Sequence, residues 1–142
     1  QVKKKVALII VVSRVIGAKT AELLALEDAI VIVTDILVDE GEALAKKING
    51  KFYHLDVSDE SEWQQVVNTI KQEFGRLDIL FNNASITGFN GDLGPQDPEN
   101  INLHAWHHIH NVNLDGVFLG CKYGLGLMKE HGGSIINMSS SW

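Results

Sequence analysis

Cysteine is almost missing from this chain. Cys121 is the only one in 142 residues, which excludes a disulfide framework and suits a reducing cytoplasm. Proline occurs only twice and no low-complexity run is present, so the marks of a disordered chain are absent too. No apolar run reaches the length of a membrane span. The basic opening Lys3-Lys4-Lys5 precedes an apolar stretch too short for a signal peptide. Positive charge is also scarce. Twelve Lys and Arg stand against 18 Asp and Glu, for a formal net charge of −6, so a nucleic-acid partner receives no electrostatic help. An initiating methionine is lacking as well: the chain opens at Gln1 and reads as processed, cut or incompletely defined.

What remains is ordinary globular composition, 45% hydrophobic and 21% charged, in one domain's worth of chain. Val6 to Val12 is nearly uninterrupted Val, Ile, Leu and Ala, the pattern of a strand buried on both faces. Ile30–Thr34, Phe52–Leu55, Ile79–Phe81 and Ile135–Met138 read the same way. Helical composition fills Gly17–Leu26 and Glu42–Ile48. Ser58 is placed as an N-cap, with Asp59, Glu60 and Glu62 complementing the helix dipole. Trp63, Val66, Val67, Ile70 and Phe74 follow at helical spacing. A longer helix is expected over His104–Lys129, ended by Gly132-Gly133. Strands alternating with helices imply parallel crossovers and an open doubly wound sheet. The stretch from Ala84 to Leu103, rich in Gly, Asn, Asp and Pro, is too long for a bland connection.

In such a sheet, ligands bind beyond the carboxyl ends of the strands. Polar residues recur there. Asp35 closes the second strand, 18 residues after Gly17, where an acid can hydrogen-bond a ribose; a solvated strand-end acid is the competing reading. Asp56 ends the third strand, Asn82-Asn83-Ala84 the fourth, and Ser139-Ser140 the fifth.

The ordered set Gly17, Asp35, Asp56-Val57, Asn82-Asn83-Ala84, Asn113 and Ser139-Ser140 resembles the short-chain dehydrogenase/reductase family along all 142 residues. The stretches Asn137–Ser140 and Val112–Gly116 carry much of that resemblance, and His107–Tyr123 resembles its steroid and cyclic-alcohol branch. The resemblance implies a Rossmann-like sheet in the order 3-2-1-4-5, within a single dinucleotide-binding domain over residues 1–142 that is incomplete at its carboxyl end. It implies hydride transfer between NAD and a secondary alcohol or ketone. Ser140 would polarise the substrate carbonyl, and Asn113 would hold a water in a proton relay. Gly17, Ile16, Arg14, Asp35, Asp56, Val57, Asn82, Asn83 and Ala84 would hold the cofactor. Asp35 would favour NAD by repelling the 2′-phosphate of NADP, while Arg14 pulls weakly toward NADP.

The departures from that pattern are specific. Ile10 stands at the family's threonine, and Val11 and Val15 at two of its turn glycines. Valine at a positive φ costs about 1–3 kcal/mol, and its methyl groups would occupy pyrophosphate space. Ser85 replaces the last glycine of the family's Asn-Asn-Ala-Gly. The family's Tyr-x-x-x-Lys is not among the 142 residues: Tyr53 is followed four positions on by Val57, and Tyr123 by Leu127.

Other features have plainer readings beside the functional ones. His104, His107 and His108 share a helix face, but no nearby acid or cysteine completes a metal set, so no metal is expected. Cys121 reads as a small core residue. Gly116, Gly120 and Gly124 form a smooth stripe suited either to a subunit interface or to the chain's own sheet. An exposed fifth strand near Ile135, Ile136 and Trp142 suggests a homo-oligomer. Two functional classes stay open: an NAD-linked oxidoreductase present as a fragment, and a Rossmann-like module without turnover that serves association.

Overall fold

The computed structural model describes residues 1–11 and 15–140. Val12, Ser13, Arg14, Ser141 and Trp142 lie outside the described residues, and with them the expectations placed on Arg14, on Trp142 and on the end of the first strand. Five strands form one sheet: β1 (Val6–Ile10), β2 (Ile30–Asp35), β3 (Lys51–His54), β4 (Ile79–Asn82) and β5 (Ser134–Asn137). The order is β3-β2-β1-β4-β5, and every pairing is parallel. This is the expected Rossmann-like α/β arrangement. β5 begins and ends one residue earlier than its apolar run suggests.

β1 occupies the centre because all five of its residues are buried. Its side chains alternate between two layers, as strand geometry requires. Val6, Leu8 and Ile10 join Trp63, Val66, Ile70, Leu119 and Met128 on one face. Ala7, Ile9 and Val11 join Ala21, Val33 and Ala45 on the other. The first layer is supplied by α3 (Glu60–Phe74) and α5 (Gly116–Met128), the second by α1 (Ile16–Leu26) and α2 (Val38–Lys47).

Local chemistry sets the helix ends. α3 is capped by Asp59, not Ser58: the Asp59 carboxylate accepts from the backbone N–H groups of Ser61 and Glu62 at 2.8 and 3.2 Å. Ser58 is drawn the other way, its N–H and hydroxyl both donating to Asp56 at 2.9 and 2.6 Å. Gly75 closes α3 at φ 70, a left-handed position that glycine adopts without strain.

The single helix expected over His104–Lys129 is divided. α4 (Leu103–His110), capped by Asn102, runs into a π-helical turn at Asn111–Asp115 before α5 begins. Within that turn Asn113 bonds through its side chain to Ile86, in the loop after β4. The glycine stripe of α5 faces inward, which settles its two readings in favour of the chain's own sheet. A Cβ on Gly116 would meet Val57 at 2.8 Å, one on Gly124 would meet Leu80 at 2.7 Å, and one on Gly120 would collide with the Asn82 side chain. Leu114, Phe118 and Leu125 are the exposed apolar residues of this segment instead.

Candidate functional site

The polar strand ends gather along one sheet edge, but they do different work. Asp35 is buried, and its carboxylate accepts from the Leu37 N–H at 3.1 Å. Asp56 has one carboxylate oxygen engaged by Ser58, while its own N–H donates to Glu62 at 2.7 Å. Glu62 also pairs with His54 at 3.0 Å. Val57 is core: its carbonyl accepts from the Trp63 indole at 2.9 Å.

Asn82, the last residue of β4, and Asn83, the residue after it, part company, because successive residues of an extended chain face opposite sides. Asn82 donates to Asn137 at 2.8 Å and lies 3.8 Å from the Cys121 sulfur, tying β4 to β5 beneath Gly120. Cys121 is therefore a half-buried neighbour of two amides rather than a purely apolar filler. Asn83 is 3% exposed and its Nδ2 has no hydrogen-bond partner. That nitrogen is 2.9 Å from where a Cβ on Gly17 would stand.

Gly17 lies in the first turn of α1. The N-cap Val15 offers no side-chain hydrogen bond, and no acid occupies that turn, so the first N–H groups of the helix favour an anion. Ile16 is half-exposed beside them. The strain expected from valine in this turn is not incurred. Val15 has φ −93 and ψ −59, and positive φ among the described non-glycine residues is confined to Lys4, Asp28 and Asn49. Val11 points into the core, 4% exposed, with its N–H bonded to the Thr34 carbonyl at 2.9 Å. Val15 is 72% exposed.

Beyond the ends of β4 and β5 opens a cavity of about 730 Å³. Ala84, Ser85, Ile86, Phe89 and Gln96 contribute from the loop after β4, Ile109, Asn113 and Val117 from the helical side, and Met138, Ser139 and Ser140 from the segment after β5. Asn113 is clamped to the loop: its Oδ1 accepts from the Ile86 N–H and its Nδ2 donates to the Ile86 carbonyl, both at 2.8 Å. Nothing in the spacing of the sequence signals that clamp. Neither tyrosine reaches this cavity as an acid or base. The Tyr123 hydroxyl donates to Glu60 at 2.7 Å, on the α3 side. Burial first, and then the neighbouring Glu73 carboxylate through hydrogen bonding and charge, pushes the Tyr53 hydroxyl up to about 12.

The model of the short chain dehydrogenase family matches residues 5–142. The chain is 40% identical to trans-4-hydroxycyclohexanecarboxylate dehydrogenase of Sinomonas cyclohexanicum, with 99% of this chain and 56% of that protein aligned. It is 37% identical to 3-beta-hydroxysteroid dehydrogenase of Comamonas testosteroni, over 97% of this chain and 54% of the relative. It is 40% identical to 3-alpha-(or 20-beta)-hydroxysteroid dehydrogenase of Mycobacterium bovis, over 96% and 51%. The chain thus spans about half the length of these relatives. With the family model matching residues 5–142, the chain belongs to the short-chain dehydrogenase family.

Proposed function

We propose that residues 1–142 form a single dinucleotide-binding unit, part of a cytoplasmic oxidoreductase that moves hydride between NAD and a secondary alcohol or ketone on a compact ring skeleton. The observation that carries this reading is the cavity. Its volume suits a small organic molecule. Ile86, Ile109, Val117 and Met138 give it apolar walls, and Ser139 and Ser140 bring hydroxyls to one side. The names of the relatives, a hydroxycyclohexane and two hydroxysteroid dehydrogenases, support a ring-bearing substrate.

In this reading Ser140 donates a hydrogen bond to the substrate oxygen, polarising the carbonyl and holding the alcohol in register. Asn113 acts as a positioning residue. With its amide engaged on Ile86, its part in a proton relay falls to the backbone of the π turn. The dinucleotide, when bound, supplies the nicotinamide that exchanges hydride. Asp35, Asp56 and Ala84 at the strand ends, with Ile16 and Gly17 at the start of α1, fit the nucleoside and the approach to the helix, and the Asn83 Nδ2 beside Gly17 has no partner within the protein. Val15 does not fit the diphosphate. It adds a branched apolar side chain, with no donor, at the N-cap residue that precedes the N–H groups of α1. Residues 1–142 also include no Tyr-x-x-x-Lys, the pair that would move the proton.

Titration with cyclohexanone, followed through the methyl resonances of Ile86, Ile109, Val117 and Met138, tests the cavity assignment. Shifts confined to these residues, weakened severalfold by Ser140→Ala, are expected. A ligand response elsewhere, or one indifferent to Ser140→Ala, would overturn it. A second reading, a module that associates without turnover, is favoured by the exposed apolar residues Leu103, Trp106, Leu114, Phe118 and Leu125 along α4 and α5.

A further inference from the structure

The geometry points to Gln96 as a specificity residue of the cavity beyond β4 and β5, one that selects a neutral ring substrate carrying a second hydroxyl. The inference rests on the ring-substrate reading of that cavity and adds what a second substituent on the ring would meet.

Gln96 belongs to the loop between β4 and α4, and its neighbours hold it there. Gly94 takes φ 77, a left-handed position that glycine adopts without strain, and its carbonyl accepts from the Gln96 Nε2 at 2.9 Å. One residue earlier, the Leu93 carbonyl accepts from the Asn102 Nδ2 at 3.3 Å, while the Asn102 Oδ1 accepts from the Ala105 N–H at 2.8 Å. The loop is thereby tied to the N-cap of α4. The Gln96 carboxamide also lies against Gly88, where a Cβ would collide with it. Gly88 and Gln96 both line the cavity.

This arrangement leaves one kind of hydrogen-bonding capacity in that side chain. The Gly94 carbonyl can only accept, which assigns the amide nitrogen to it. Among the described residues nothing donates to the Gln96 Oε1, so the oxygen is left to accept from a ligand. An acceptor of this kind prefers a hydroxyl to a methyl group of the same size. The other polar side chains of the loop and helix wall differ. Asn113 has both ends of its amide on Ile86. Ser85 and Thr87 are exposed, whereas Gln96 is half-buried. No described lining residue is ionisable, so a charged substituent would lose water without meeting a counter-charge. The volume of about 730 Å³ falls among those of sites for drug-sized molecules, roughly 300–1,000 Å³. A six-membered ring held at Ser140 therefore leaves room for a substituent.

Calorimetric titration of the chain with cyclohexanone, 4-methylcyclohexanone, 4-hydroxycyclohexanone and 4-oxocyclohexanecarboxylate tests this. The wild type should hold the hydroxyketone about three- to tenfold more tightly than the methylketone, and the carboxylate more weakly than cyclohexanone. Gln96→Met, with circular dichroism showing the fold intact, should bring the hydroxyl-to-methyl ratio to about one. The wild-type ratios decide even where that variant fails to fold. Equal affinity of the wild type for the hydroxyketone and the methylketone would overturn the inference, as would a carboxylate held as tightly as cyclohexanone. So would a hydroxyl preference that survives Gln96→Met, which assigns the contact to Ser85 or Thr87 instead. Each of these leaves the ring-substrate reading standing while cyclohexanone binds. If the folded chain binds none of the four ketones, the inference and that reading both fall.

Discussion

Val11 and Asn113 show how far a residue's role depends on what surrounds it. Val11 fills space between β1 and α1, so Val11→Gly removes a buried side chain and adds backbone freedom. The expected loss is about 2–4 kcal/mol, read as a lower denaturation midpoint in urea at unchanged slope. Asn113→Ala leaves the Ile86 N–H and carbonyl without their partners, at a cost of about 1–3 kcal/mol. Faster amide exchange should concentrate at Ile86 and the loop beyond it. The strand pattern of the sequence placed Asn82 and Asn83 at a strand's carboxyl end, and the family resemblance singled out Asn113. Neither could reveal that Asn82 and Asn113 are engaged within the protein while the Asn83 Nδ2 stays unpartnered. Those outcomes depend on which neighbours lie across a strand or a loop, and residues distant in sequence supply them.

Among the elements, the strands were legible because β1 is buried on both faces and apolar throughout, and β2 and β4 are apolar up to their polar carboxyl ends. Helix boundaries were less so. Ser58 and Asp59 are both good caps, and the choice fell to Asp59 because Asp56 captures the Ser58 hydroxyl. Asp59→Ala should therefore destabilise by about 1 kcal/mol, whereas Ser58→Ala should cost much less, both measured by thermal melting. The helical periodicity from His104 to Lys129 could not disclose the π turn, since a one-residue insertion changes the face of everything after it. The inward glycines of α5 follow from close approach to the sheet, where Val57, Asn82 and Leu80 leave no room for a side chain. Gly120→Ala should disturb the Asn82 side chain and, through it, the β4–β5 pairing.

For the whole molecule, acid stability and association follow from groups far apart in sequence. Burial pushes the Asp78 carboxyl up, but the Arg76 guanidinium, the Val6 N–H and the charge of Lys5 outweigh it and hold the carboxyl below its usual range. A carboxyl depressed on folding contributes fully above its unfolded pKa of about 3.9. That contribution is lost as pH falls through the lower folded value. Asp78→Asn should flatten this acid limb in melts taken at successive pH values. Ile136 and Met138 are exposed at the β5 edge, as are Phe118 and Leu125 on α5. Light scattering after size-exclusion chromatography should accordingly report a homo-oligomer rather than a stable monomer at high concentration. The most direct test of the central claim is NADH formation from NAD and a panel of secondary ring alcohols by the polypeptide of residues 1–142. Ser140 and Asn113 without a Tyr–Lys pair, behind Val15 at the phosphate approach, predict no alcohol-dependent signal above background. Steady turnover by the chain alone, abolished by Ser140→Ala, would contradict the account.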